Sequence, residues 1–210
     1  ITTGEDVLPL VLQRFAITAQ LVLMSVGLAT VLAVPLGMLA AWRQNSAFDL
    51  GIVIGATALM SIPTFWMGLM LLLFFGLHLG WLPVLGYVSP FEDFGAGVLY
   101  LLMPVSALVL HECGILVRMS RASTLDVLRL DYVTHARSKG LTEGQVLRHH
   151  VFRNAFGPTW TLLGLILGNL LGGVAVVETV FTIPGLGRLI VESIYGRDYP
   201  VLQGCLLFVA

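Results

Sequence analysis

Residues 131–144 read DYVTHARSKGLTEG, a polar and largely basic island in a chain of 210 residues that is 57% hydrophobic and only 11% charged. Soluble domains carry about 25% charged residues, and the mean hydropathy of +0.93 lies far to the apolar side. Long apolar runs flank the island on both sides. A chain composed in this way reads as an all-α integral membrane protein. What the island does depends on the side of the bilayer it faces.

Working outward, four complete spans and the start of a fifth are legible, each complete one near or above the roughly 20 apolar residues that cross a bilayer core. They cover 15–41, 50–77, 97–117 and 156–177, and the fifth opens at Pro200 after Asp198. Pro35 and Pro63 fall inside spans, where a kink is tolerated. Orientation follows from Lys and Arg. Eight lie on the island's side: Arg43, Arg118, Arg121, Arg129, Arg137, Lys139, Arg148 and Arg153. Only Arg14, Arg188 and Arg197 lie opposite, among Glu5, Asp6, Glu92, Asp93, Glu178, Glu192 and Asp198. The island is therefore expected on the cytoplasmic face of a multi-pass protein. The chain opens in polar sequence without a signal-peptide pattern and stops within an apolar run, so it is expected to be the core of a longer protein.

The cytoplasmic segment 118–155 is too long for a turn. Leu125, Leu128, Tyr132, Val133 and Ala136 recur at helical spacings, Gly140 can stop that helix, and Thr142 can cap a second short one. Two readings fit: a basic loop obeying the positive-inside rule, or a shaped knob offered to a partner, in which Ala136 and Gly140 admit close approach and a sharp turn. On the outer side, IPGLG at 183–187 is turn chemistry, followed by the amphipathic RLIVESIYG.

The remaining polar features carry less. HECGI at 111–115 lacks the second His of a zinc-protease helix, Ile115 standing in its place. Glu112 nevertheless lies in or near a span, where it is expected to partner a polar group on a neighbouring helix or, alternatively, to line a pathway. Gly164, Gly168 and Gly172 share one helix face and suit close packing within the subunit or against a second one, with Asn169 beside them. His149 and His150 have no further ligands nearby, so no metal is expected. His78 and Trp81 suit an interfacial belt. Cys113 and Cys205 read as buried hydrophobes. One intramembrane carboxylate and no clear repeat argue against a secondary transporter, and no catalytic constellation supports an intramembrane hydrolase.

YVTHARSKGL followed by VLRHHVFRNAFGP resembles the EAA loop of permease subunits of binding-protein-dependent ABC importers, most closely the dipeptide, oligopeptide and nickel branch. In the general motif Glu-Ala-Ala is followed, after three residues, by Gly and later by Ile-x-Leu-Pro. Thr134, His135 and Ala136 take the first places here and Gly140 the Gly, so only Ala136 and Gly140 match strictly. The last place reads His150-Val151-Phe152-Arg153, followed by the Arg153-Asn154-Ala155 and Pro158 of the peptide branch. SIPTFWMGLMLL at 61–72, LGWLPVLGY at 79–87, RMSRASTLDVL at 118–128 and ETVFTIPGLGRLIVESIYGRDYPVLQG at 178–204 are similar to that branch in the same order.

The resemblance implies one permease domain over 1–210, a type I importer helical bundle in a prokaryotic cytoplasmic membrane, with 118–155 as its coupling loop and a further span before residue 1. It implies that Tyr132, Ala136, Lys139, Gly140 and Leu141 engage a separate ATPase subunit. No GxxxxGK[ST] sequence is present, so ATP and Mg are expected on two partner ATPase subunits and no cofactor in this chain. The other implied partners are a second permease subunit, an external solute-binding protein and membrane lipid, with no role for nucleic acid. The implied cargo is a peptide, with nickel or another small solute as the alternative; the substrate-binding residues are not legible.

Overall fold

The computed structural model describes residues 6–209, apart from the surroundings of Gly172 and Gly173, and the described residues form helices and turns without a strand. In order these are α1 (Val7–Trp42), α2 (Ala47–Ser61), α3 (Thr64–Leu71, prolonged by π-helical Leu72–His78), α4 (Phe94–Leu128), α5 (Asp131–Ser138) and α6 (Glu143–Gln145). There follow a π-helical stretch, Val146–Val151, then α7 (Phe152–Gly173), α8 (Ala175–Val180), α9 (Leu186–Tyr195) and α10 (Tyr199–Val209).

Length and apolarity single out α1 and α4 as candidate spans; α2 and α3 meet that test only when taken together, and they are broken between Ser61 and Thr64. The break corrects the expectation of a merely kinked helix at Pro63. Ile62 is driven to an extended conformation, φ −93° and ψ 124°, because the proline ring disfavours the helical region for the residue before it and Pro supplies no N–H. α7 is not among the helices that length and apolarity select. Nor is it separate from the short helix after Thr142. Nothing between Glu143 and Phe156 stops a helix, and the π-helical Val146–Val151 joins α6 to α7 in one run.

The contacts gather into two compact units, one of Ile1–Ser25, Pro63–Leu108 and Leu167–Ala210, the other of Val26–Ile62 and Val109–Ile166. The first is organised around Glu178, which is fully buried. Thr18 Oγ1 donates to its Oε1 at 2.5 Å and the Arg188 N–H to its Oε2 at 2.9 Å. Thr18 Oγ1 in turn accepts the Leu186 N–H at 2.8 Å, and Arg14 Nη1 donates to the Pro184 carbonyl at 3.2 Å. Gly185 lies so close to the carboxylate that a β-carbon there would collide with it. The IPGLG turn is thus wrapped around one acidic side chain and fastened to α1. Beside it Val11, Leu186, Leu189, Val201 and Cys205 form a small core.

In the second unit α1 and α4 pack closely. A β-carbon on Gly37 would come within 2.6 Å of the Val117 carbonyl oxygen. Ser120 Oγ donates to the Val34 carbonyl at 3.0 Å, and the buried Cys113 thiol to the Ala29 carbonyl at 3.7 Å. Asp49, buried in the first turn of α2, accepts Arg121 Nε and Nη2 of α4 at 2.6 and 2.7 Å, as well as the Asn45 N–H at 3.0 Å. This bidentate pair ties the first turn of α2 to α4.

The Glu178 arrangement predicts a measurable coupling. Thr18→Val and Glu178→Gln should each lower stability by about 1–3 kcal/mol, since each leaves buried donors unsatisfied. The double variant should fall short of their sum by about 1 kcal/mol. Thermal unfolding in detergent, read by size-exclusion chromatography, measures the cycle, and strict additivity would mean that the Thr18 and Glu178 bonds do not act as a unit.

Candidate functional site

The segment that follows α4 folds as a helical elbow with a core of its own. Val133 and Ala136 of α5 pack with Val127, Val146, Val151 and Ala155, and with the partly buried Leu128, Leu141 and Leu147. These positions recur at helical spacings, so α5 turns one apolar face inward and leaves Thr134, His135, Arg137, Ser138 and Lys139 exposed. Ala136, a small residue that could have been offered to a partner, is spent on this internal core: it is 5% exposed.

The bend is a fully hydrogen-bonded helix terminus. The Gly140 N–H bonds the Arg137 carbonyl at 2.9 Å and the Leu141 N–H the Ala136 carbonyl at 3.4 Å, the two bonds of a Schellman motif, with Leu141 packed back onto the core. Gly140 has φ +82°, a conformation costly for a residue with a β-carbon. No heavy atom lies within 4 Å of where that β-carbon would be. Glycine is therefore required here by backbone conformation and not by the approach of another part of the chain.

Three contacts brace the elbow. Arg137 Nε and Nη2 reach the Glu143 carboxylate at 2.8 and 3.2 Å, linking the two helices across the turn. Thr142 caps the second helix, and Gln145 Oε1 accepts its N–H at 3.0 Å. The Tyr132 hydroxyl accepts Asn154 Nδ2 at 2.9 Å, and the same amide group donates to the His150 carbonyl at 2.8 Å. Tyr132 is thus a strut at the base, still 38% exposed. Of the residues singled out in the sequence, Lys139 and Gly140 sit exposed at the tip, Leu141 is half-buried behind it, and Tyr132 and Ala136 hold the elbow together. The exposed Thr134 and His135 complete the outer surface, although they depart from the general motif. The Asn154 brace left no signal in the sequence, because it joins residues 22 positions apart through one amide group.

Gly164 and Gly168 have no heavy atom within 4 Å of an added β-carbon. Of the two readings of this face, packing within the subunit finds no neighbour at these two positions among the described residues. The surroundings of Gly172 lie outside the described residues. Glu112 is 5% exposed, and its Oε2 finds no hydrogen-bond partner among the described residues, against the expectation of a polar partner on a neighbouring helix. Among those residues no group of three or more His, Cys, Asp and Glu could hold a metal ion. His149 Nδ1 lies 3.2 Å from the Gln145 carbonyl of its own helix.

Comparison with known proteins bears on the family and the fold. Residues 33–210 match the family described as "Binding-protein-dependent transport system inner membrane component". A putative peptide transport system permease protein of Brucella suis is 40% identical over 98% of this chain, which spans 66% of that relative's length. The oligopeptide transport system permease protein AppB of Bacillus subtilis is 39% identical, covering 95% of this chain and 64% of its own. Among solved structures, the methionine ABC transporter MetNI in an inward-facing conformation aligns with TM-score 0.76 at 17% identity, over 95% of this chain and 88% of that one. An amino acid ABC transporter with histidines aligns with TM-score 0.62 at 18% identity, over 95% and 84%. At those identities the likeness is one of fold.

The geometry at Gly140 makes a graded prediction. Gly140→Val should destabilise the elbow by about 1–3 kcal/mol through its left-handed backbone, and Gly140→Asn by much less, because Asn tolerates that region. Tryptic cleavage after Lys139 in the detergent-solubilised protein reports the order. Equal cleavage of the two variants would mean that conformation is not what the position demands.

Proposed function

Because the chain belongs to the family of binding-protein-dependent transport system inner membrane components, we propose that it is the membrane-spanning permease subunit of an ATP-driven peptide importer. The observation that carries this is the elbow. It is a cored, capped and braced helical pair whose polar outer surface is left uncovered by the described residues, and it continues without interruption into α7. Such a body can receive a push from a partner and deliver it to a membrane helix. A separate ATPase subunit on the cytoplasmic face is that partner, because this chain has no phosphate-binding loop of its own.

In this reading two ATPase subunits bind ATP and Mg, draw together, and move the elbows of two permease subunits. The spans then exchange outward- and inward-facing arrangements around a solute delivered by an external binding protein. The chain performs no chemistry itself. A di- or oligopeptide is the cargo best supported, because the relatives matching nearly the whole chain are named for peptide transport. The open face of Gly164 and Gly168 on α7 fits the second permease subunit, since small residues let helix backbones approach in lipid.

Two tests follow. Gly140→Asp puts a charge and a β-carbon on the exposed tip; the variant should insert into membranes yet lose co-purification with the ATPase and ATP-driven peptide uptake, and undiminished association and uptake would sink the coupling role. Gly164→Leu with Gly168→Leu should leave the monomer folded, as both sites are open, but weaken pairing of the permease subunits by tenfold or more, about 1.4 kcal/mol. Cross-linking between differently tagged subunits measures that.

A further inference from the structure

At the cytoplasmic end of α1 an open groove of about 450 Å³ lies between Pro35, Met38 and Leu39 on one side and Leu147 and Phe152 on the other. That volume falls within the roughly 300–1,000 Å³ of small-molecule sites. Arg148 is the single charged residue of the lining; its side chain is exposed and has no hydrogen-bond or ion-pair partner among the described residues. Leu39 and Phe152 remain 40% and 43% exposed, so the described residues do not fill the groove.

The depth of the groove suggests its occupant. α1 ends at Trp42, and Arg43 follows, a residue pair suited to the headgroup level of a bilayer. At 1.5 Å per helical residue, Leu39 and Pro35 lie about 6 and 12 Å further in, where the upper methylenes of an acyl chain run beneath a phosphate. The inner face carries eight of the eleven Lys and Arg residues, a field that gathers anionic lipid. A guanidinium matches a phosphate in geometry as well as charge. A protein helix covering the groove would have to bring a carboxylate for Arg148, whereas a phospholipid brings its anion attached to the chain that fills the apolar part.

We propose that this groove binds an anionic phospholipid of the cytoplasmic leaflet, one acyl chain between Met38 and Leu147 and the phosphate on Arg148, and that the bound lipid braces the elbow against α1. The inference rests on the inward orientation of the elbow, which protease access to Lys139 in sealed inside-out vesicles checks separately.

The test uses the full-length transporter complex in nanodiscs of phosphatidylcholine containing a minor fraction of phosphatidylglycerol. Native mass spectrometry after release into detergent counts retained lipid. Arg148→Gln should lower the preference for phosphatidylglycerol about fivefold, the worth of one basic group at a membrane surface. Gly144→Leu should reduce retention of both lipids, because Gly144 also lines the groove and a β-carbon there meets no heavy atom within 4 Å. A photoreactive benzoylphenylalanine at position 39 should yield an adduct of one phospholipid mass. Unchanged preference in Arg148→Gln would overturn the proposal. So would an adduct at position 39 to another protein segment, which would make the groove a protein interface.

Discussion

Inside a hydrocarbon layer no water is available to a backbone amide, so every polar group of the chain must be satisfied by the chain. Helices meet that demand for the main chain along most of this sequence, and the rest of the architecture follows from where helices must stop. The extended Ile62 before Pro63 interrupts the ladder, and the IPGLG segment leaves it altogether. At IPGLG the free donors find an acceptor in Glu178, whose carboxylate takes the Thr18 hydroxyl and the Arg188 amide while Thr18 accepts the Leu186 amide. A buried acid that would be costly in isolation thus becomes the organising centre of a turn.

Asp49 solves the same problem near the opposite end of α1. Its carboxylate serves both the Arg121 guanidinium and the Asn45 amide, so the turn between α1 and α2 is held to α4 by charge-assisted bonds. Glu112 stands apart from both, with one oxygen buried and unpartnered among the described residues. The two satisfied acids are explained by the segments they fasten; Glu112 fastens nothing within the described chain.

Much of this arrangement was legible in advance, and the parts that were not share a cause. The helix-Gly-helix elbow could be read because its signals are local: apolar spacing on α5, a glycine where the turn needs left-handed backbone, and a capping Thr142. The break at Pro63 was visible as a proline, but whether proline kinks or severs a span depends on what its neighbours can satisfy, which no local window contains. The fusion of α6 with α7 was missed because a π-helical join disturbs the 3.6-residue period without any breaker residue. Small residues at 136, 164 and 168 looked alike in sequence and proved different in place. Ala136 packs inside the elbow, whereas Gly164 and Gly168 face open space. Charge counting gives Glu178 only an expected side of the bilayer, and its bond to Thr18, 160 positions away, could not be foreseen.

The two arms of the elbow are not mechanically equivalent. On the α4 side the chain passes through Arg129 and Leu130 before α5 begins, and Leu130 is extended. On the other side hydrogen-bonded helix runs unbroken from Glu143 to Gly173. Lys139 and Gly140 are therefore joined to α4 through a hydrogen-bonded turn and to α7 through a continuous rod of helix. The rod is the helix that bears the bare glycine face. The second helix of the elbow and that open face therefore lie on one continuous helical run.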